Sequence, residues 1–228
     1  MKKTTHYTAE SILEILKSEQ NPETVTGLKR FAAGGAVTLG IPMPRLRALA
    51  KEIGKNHTIA LDLWKSGIHE ARILASIVEE PALVQEDQVD EWVKDFDSWD
   101  ICDQCCLNLL KKLPFAVKKI HVWSQREETF VKRTAFALIA CLCHGNKKTD
   151  DALFISFFPL IQAASTDDRN FVKKAINWAL RQIGKRNSTL NQLAQQEAIE
   201  LINSGNKCAI WIGKDALREL QKKAMFLP

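Results

Sequence analysis

Trp99 and Asp103 stand four residues apart in DFDSWDICDQCC. On a helix, positions i and i+4 lie one above the other, so this indole and this carboxylate share a face, with Cys102, Cys106 and Leu109 on the adjoining apolar face. The carboxylate then has a route to solvent beside an aromatic wall. The same spacing also fits a plainer arrangement, with Trp99 in the core and Asp103 or Asp100 favoured by the dipole at a helix N-terminus. A second set lies in NFVKKAINWALRQIGKR. Phe171, Val172, Ala175, Ile176, Ala179 and Ile183 form its apolar stripe, which leaves Lys174, Trp178, Arg181 and Lys185 at i, i+4, i+7 and i+11 on another face. Residues 170–186 hold five basic groups and no acid. A cationic helix with an indole in its charged stripe suits phosphates plus a stacked sugar or base. It equally suits a solvated basic face whose indole is shielded by lysine stems.

Arg133 is the third element. Phe130-Val131-Lys132-Arg133 is echoed 41 residues later by Phe171-Val172-Lys173-Lys174, so Arg133 occupies the position of Lys174 and the two should project from one surface. A salt bridge to Glu127 or Asp103 is the competing role. The cysteines offer a rival chemistry, because Cys102, Cys105 and Cys106 with Cys141, Cys143 and His144 could supply zinc ligands. No second C-x-x-C exists, and the first three would form one buried stripe of a helix, so thiols acting as small apolar side chains are the expectation, with no metal. His6, His57, His69 and His121 show no base or nucleophile partner in the sequence. There is neither a phosphate-cradling glycine loop nor a G-x-S-x-G elbow, which argues against nucleotide hydrolysis and serine-hydrolase chemistry.

The elements that must position these residues are helices. Ten Gly and seven Pro punctuate 228 residues, and nearly every intervening segment carries apolar residues at helical spacing. Helices are expected over 8–19, 23–34, 44–54, 58–66, 69–79, 87–95, 98–112, 114–122, 127–143, 149–163, 169–184, 188–203 and 207–223. Pro44 opens one of them, Asp167 and Asp168 are placed to cap another, and Gly54 and Gly184 are natural stops. Helix pairs recurring at about 40–47 residues are the mark of HEAT or armadillo-like repeats. The expected architecture is therefore an all-α HEAT-like solenoid, with a single domain over 1–228 because no Gly/Ser/Pro linker interrupts it.

Charge and composition bound the partners. The net charge is +5, yet residues 1–114 hold 14 basic and 17 acidic groups while residues 115–228 hold 18 and 10. Eight carboxylates crowd between Glu86 and Asp103, so an anion-binding surface is expected mainly in the second half. No run approaches a membrane span, the N-terminus lacks an apolar signal core, and the cysteines are not arranged as a secreted framework, so a reduced, cytoplasmic chain without a membrane partner is expected.

Taken in order, NPE at 21–23, LGIPMPRLRALAKEI at 39–53, SWDICD at 98–103, FVKRTAF at 130–136 and FVKKAINWALRQIGK at 171–185 resemble the AlkD-type family of DNA alkylation repair proteins, over residues 10–220. The resemblance implies HEAT-like repeats with a concave basic surface on duplex DNA. It also implies a monofunctional glycosylase that removes cationic N3- or N7-alkylated purines without flipping the base, as a monomer with no cofactor and no obligate protein partner. Carried over, the catalytic aspartate falls on Asp103, the sugar-facing tryptophans on Trp99 and Trp178, and a DNA-contacting arginine on Arg133. Lys174, Arg181 and Lys185 would hold phosphates. Where a family member has a tyrosine near the lesion, this chain has Phe31, without the hydroxyl. The family also has branches that bind branched or unusual DNA without glycosylase activity.

Overall fold

The computed structural model describes residues 6–28, 37–145 and 149–224. They form fourteen helices and a short 3-10 turn, and no strand beyond an isolated bridge between Val37 and Ile68. The chain divides into two compact units, Met1–Leu113 and Pro114–Pro228.

The first unit holds α1 (Ala9–Ser18), α2 (Pro22–Leu28), α3 (Met43–Ile53), α4 (His57–Lys65), α5 (His69–Val78), α6 (Glu86–Lys94) and α7 (Trp99–Asn108). Its core gathers Ile12, Leu46, Leu63, Leu74 and Ile101, all shut off from solvent. Local chemistry sets the ends. Thr8 caps α1 by accepting from the Ser11 amide, Asn56 caps α4 by accepting from Ile59, and a proline stands in the first turn of α3. The segment expected as one helix over 98–112 stops at Asn108, and the chain closes through a 3-10 turn at Leu110–Lys112.

α5 and α7 run the same way, since His69 meets Asp100 near their starts and Asn108 reaches Ser76 Oγ near their ends. The loop before α3 is pinned by Glu70 of α5, whose buried carboxylate accepts from the backbone N–H groups of Leu39 and Gly40 at 2.9 and 2.7 Å, with Ile41 at 3.4 Å. Three amide donors replace the water such a charge would otherwise demand. Gly40 has φ +78°, and a Cβ there would lie 2.5 Å from the Asn21 carbonyl. Glycine is therefore required in the LGIP motif, and NPE is the segment it presses against.

The second unit holds α8 (Ala116–Ser124), α9 (Thr129–Cys143), α10 (Asp151–Ile155), α11 (Phe158–Ala164), α12 (Asn170–Gly184), α13 (Ser188–Asn203) and α14 (Lys207–Ala224). The single helix expected over 149–163 is broken, because Pro159 lacks an amide and its ring conflicts with the carbonyl four residues back, that of Ile155. Asp167 does not cap α12. Its carboxylate is taken by Arg169, with Lys132 at 3.3 Å, and the cap position is Arg169, which makes no side-chain capping bond.

The 41-residue echo appears as a ladder of contacts between α9 and α12. Phe130 and Phe171 rings lie 5.3 Å apart, Arg169 reaches back to the Glu127 carbonyl, and Arg186 donates to the Cys143 carbonyl at 2.8 Å. α12 and α14 also run in parallel: Lys173 lies over the Trp211 ring, Asn177 donates to the Ile212 carbonyl, and Arg181 pairs with Glu219. Gly184 ends α12 where a Cβ would sit 2.5 Å from Leu220 Cδ2.

Candidate nucleic-acid interface

In the first unit the site begins at Ser98, whose extended backbone turns the chain into α7 so that Trp99 is the first helical residue. Trp99 is 40% exposed, not core. Asp103, one turn on, is half-buried, while Ile101, Cys102, Cys105 and Cys106 are packed away on the opposite side. Burial pushes the Cys105 thiol far above its usual range, which keeps it an apolar filler. Asp100 is anchored at 2.8 Å to Nε2 of His69. Burial alone would lower the His69 pKa, but the hydrogen bond and charge of Asp100, with Glu70 and Asp97 behind, outweigh it and hold the imidazole above its ordinary value. Burial would raise the Asp100 pKa, and the bond and charge of His69 reverse this to a value below the usual one. The pair fixes the start of α7 against α5, so the acid next to Trp99 is spent on position. His57 is also partnered, 2.7 Å from Glu79. Neither histidine pairing was visible in the sequence, because each crosses from one helix to another.

In the second unit α12 carries Lys174 exposed and Trp178 half-exposed on the face opposite its buried stripe. Lys174 has no ion-pair partner among the described residues. Arg181 and Lys185 both pair with Glu219 of α14. Burial favours the protonated form of Glu219, but the hydrogen bonds from Lys185 and Arg181 prevail and hold its pKa below normal. Two of the three phosphate ligands expected on this segment thus share an internal carboxylate.

Arg133 departs from its expected equivalence with Lys174. It is only 6% exposed, and its Nη1 donates to the Phe171 carbonyl at 2.7 Å, whereas Lys174 stands in solvent. The longer arginine fork reaches the start of the next repeat and ties α9 to α12. Phe31 lies outside the described residues. Cys141 and Cys143 are buried like the other cysteines, burial pushing Cys143 up to about 12. Among the described residues no group of three or more His, Cys, Asp or Glu side chains is gathered for a metal, and no helix is long and apolar enough to cross a membrane.

One face was missed by the sequence reading. On α14, Lys207, Trp211, Lys214 and Arg218 repeat the i, i+4, i+7, i+11 pattern of Lys174, Trp178, Arg181 and Lys185, and all four are exposed. Trp211 is 40% exposed with Lys173 Nζ 4.8 Å from its ring centroid. The signal was a second tryptophan at the same spacing among cations.

No curated protein matches the chain in sequence. A solved structure superposes with a TM-score of 0.77 at 16% identity, over 93% of this chain and 95% of that one. It is described as a new family of proteins related to the HEAT-like repeat DNA glycosylases with affinity for branched DNA structures. The architecture is therefore the all-α HEAT-like repeat fold of those relatives. The family model for DNA alkylation repair enzymes matches residues 12–220, spanning both units, and the chain belongs to that family.

Proposed function

We propose that the chain is a monofunctional DNA glycosylase that excises cationic N3- and N7-alkylated purines from duplex DNA without extruding the base. The observation that carries this reading is Trp99, exposed at the first position of α7 with Asp103 one turn behind it, in a chain of the DNA alkylation repair family.

An alkylated purine already bears positive charge, so it leaves as a neutral base with the electron pair of the broken C1′–N bond, and no acid need protonate it. The charge passes to the deoxyribose. Trp99 and Trp178 would wall that sugar with electron-rich faces, and the Asp103 carboxylate would stabilise the oxocarbenium-like state. Water then attacks C1′, with Asp103 orienting it and taking its proton. The product is an abasic site. Because these groups address sugar rather than base, bulky adducts are tolerated, unlike in enzymes that flip the base into a pocket. Lys174 supplies a phosphate contact, and Arg181 and Lys185 add theirs in competition with Glu219.

The test is release of 7-methylguanine or 3-methyladenine from methylated duplex DNA. Asp103→Asn should lower single-turnover release about 100-fold or more, and Trp99→Ala or Trp178→Ala about tenfold. Undiminished release by Asp103→Asn removes the aspartate from the mechanism. The description of the structural relative favours one other reading, a non-catalytic protein that binds branched DNA. That reading prevails if the wild type releases no methylpurine yet prefers a four-way junction to a linear duplex.

A further inference from the structure

A cavity of about 310 Å³ opens in the first unit, lined by Arg47, Ala50, Lys51, Gly54, Lys55, Ile77, Asn108 and Lys112. Its wall carries four cations and no carboxylate, in the half of the chain whose net charge is negative. The cations come from two places. Arg47, Lys51 and Lys55 follow one another at four-residue steps along and just beyond α3, and Lys112 ends the 3-10 turn after α7.

Lys55 has a structural occupation, donating to the Ile77 and Glu79 carbonyls at 2.6 and 2.9 Å and so closing the end of α5. Arg47, Lys51 and Lys112 have no hydrogen-bond or ion-pair partner for their side-chain nitrogens among the described residues. Partial burial, then the charges of Lys55 and Lys111, pull the Lys112 pKa below normal. Burial does the same to Lys55, more than Glu79 and Glu80 restore. Like charges held together around a hollow are unfavourable until an anion enters.

We propose that this cavity is a phosphate-binding site for a nucleic-acid backbone, with Arg47, Lys51 and Lys112 as its ligands and the Ala50, Gly54 and Ile77 surface against the adjoining sugar. The guanidinium offers paired donors to two phosphate oxygens and the ammonium groups act as point charges. A carboxylate would fit the charge less well than a phosphodiester, whose oxygens can meet donors on more than one side. The cavity is also wider than one phosphate requires, which leaves room for the flanking deoxyribose over its apolar floor. The inference rests on the DNA-binding reading above and adds a grip remote in sequence from Trp99, Asp103 and α12.

Duplex binding measured by fluorescence anisotropy over a salt series tests it. The variant Arg47→Gln/Lys51→Gln/Lys112→Gln changes exposed side chains and should keep the wild-type circular dichroism and Tm. Its affinity should fall about tenfold or more, and the slope of log K against log salt should become shallower by about 2 to 3. The control Lys17→Gln/Lys65→Gln/Lys94→Gln removes the same charge elsewhere in the unit and should leave the slope near wild type. Equal affinity and slope in wild type and cavity variant overturn the proposal while leaving DNA binding intact, and so does an equal loss in the control, which would mark a net-charge effect. Titration with inorganic phosphate separates the sources: loss of phosphate binding with DNA binding unaltered overturns the backbone assignment in favour of a free-phosphate site. A wild type that binds no DNA overturns the DNA reading itself.

Discussion

Glu197 is 8% exposed on α13, with Oε1 buried and no hydrogen-bond partner. Burial, then the nearby Glu200 charge, pushes its pKa up to about 7 from an ordinary 4.5. The folded state holds this proton more tightly than the unfolded chain does, so the associated stability is complete below the unfolded pKa and is lost as pH rises toward 7. Glu197→Gln should match wild type in urea denaturation near pH 4 and exceed it by about 2 kcal/mol at pH 8. An equal difference at both pH values would mean that ionisation is not the cause. At this scale the sequence was legible where chemistry follows local spacing. Trp99 and Asp103 do share a turn, with the cysteines packed behind them. It was opaque where a partner comes from another helix, as with His69 and Asp100, Arg133 and the Phe171 carbonyl, or Glu219 between Arg181 and Lys185.

Among the elements, the helices expected from apolar spacing mostly form, because burial of one stripe is what stabilises a short helix in a repeat. The failures have local causes. Pro159 breaks one expected helix into two, and the turn after Asn108 shortens another. The repeat was clearest in the second unit, where Arg169, Arg186 and Cys208 make bonds across 41 to 43 residues, and only a loose echo at His69-Glu70-Ala71-Arg72 stood in the first. In the first unit the equivalent bonds from Glu70, His69 and Trp64 span about 31 residues, a spacing shorter than the HEAT period. The exposed face of α14 gives a prediction at this scale. Trp211→Ala should weaken binding to DNA with unpaired bases about tenfold, since a stacked base is worth about 1–3 kcal/mol, and Trp211→Phe should restore most of it. Equal binding by Trp211→Ala would make that tryptophan merely a cover for the Lys173 stem.

Across the whole molecule, net charge was a coarse guide. The basic second half was legible by counting, and exposed cations stand on α12 at Lys174 and along α14 at Lys207, Lys214 and Arg218. Counting hid the cavity of the first unit, because Arg47, Lys51 and Lys55 are diluted by the eight carboxylates between Glu86 and Asp103. The four-residue step from 47 to 55 was present in the sequence; the convergence of Lys112 was not, since it depends on how the end of α7 closes.

Glu219 changes what salt dependence would measure. DNA phosphates hold condensed cations, and the release of those ions when a protein cation neutralises a phosphate is what the salt slope records. Arg181 and Lys185 bring two charges of which Glu219 cancels one, so the cluster offers the DNA less net charge than two free cations would. Their contacts would hold DNA yet add less to the salt slope than their number suggests. Glu219→Gln should therefore tighten duplex binding and steepen the slope by about 1, and an unchanged slope would mean that Arg181 and Lys185 do not meet phosphates even when freed. The molecule carries part of its own ionic atmosphere in α14.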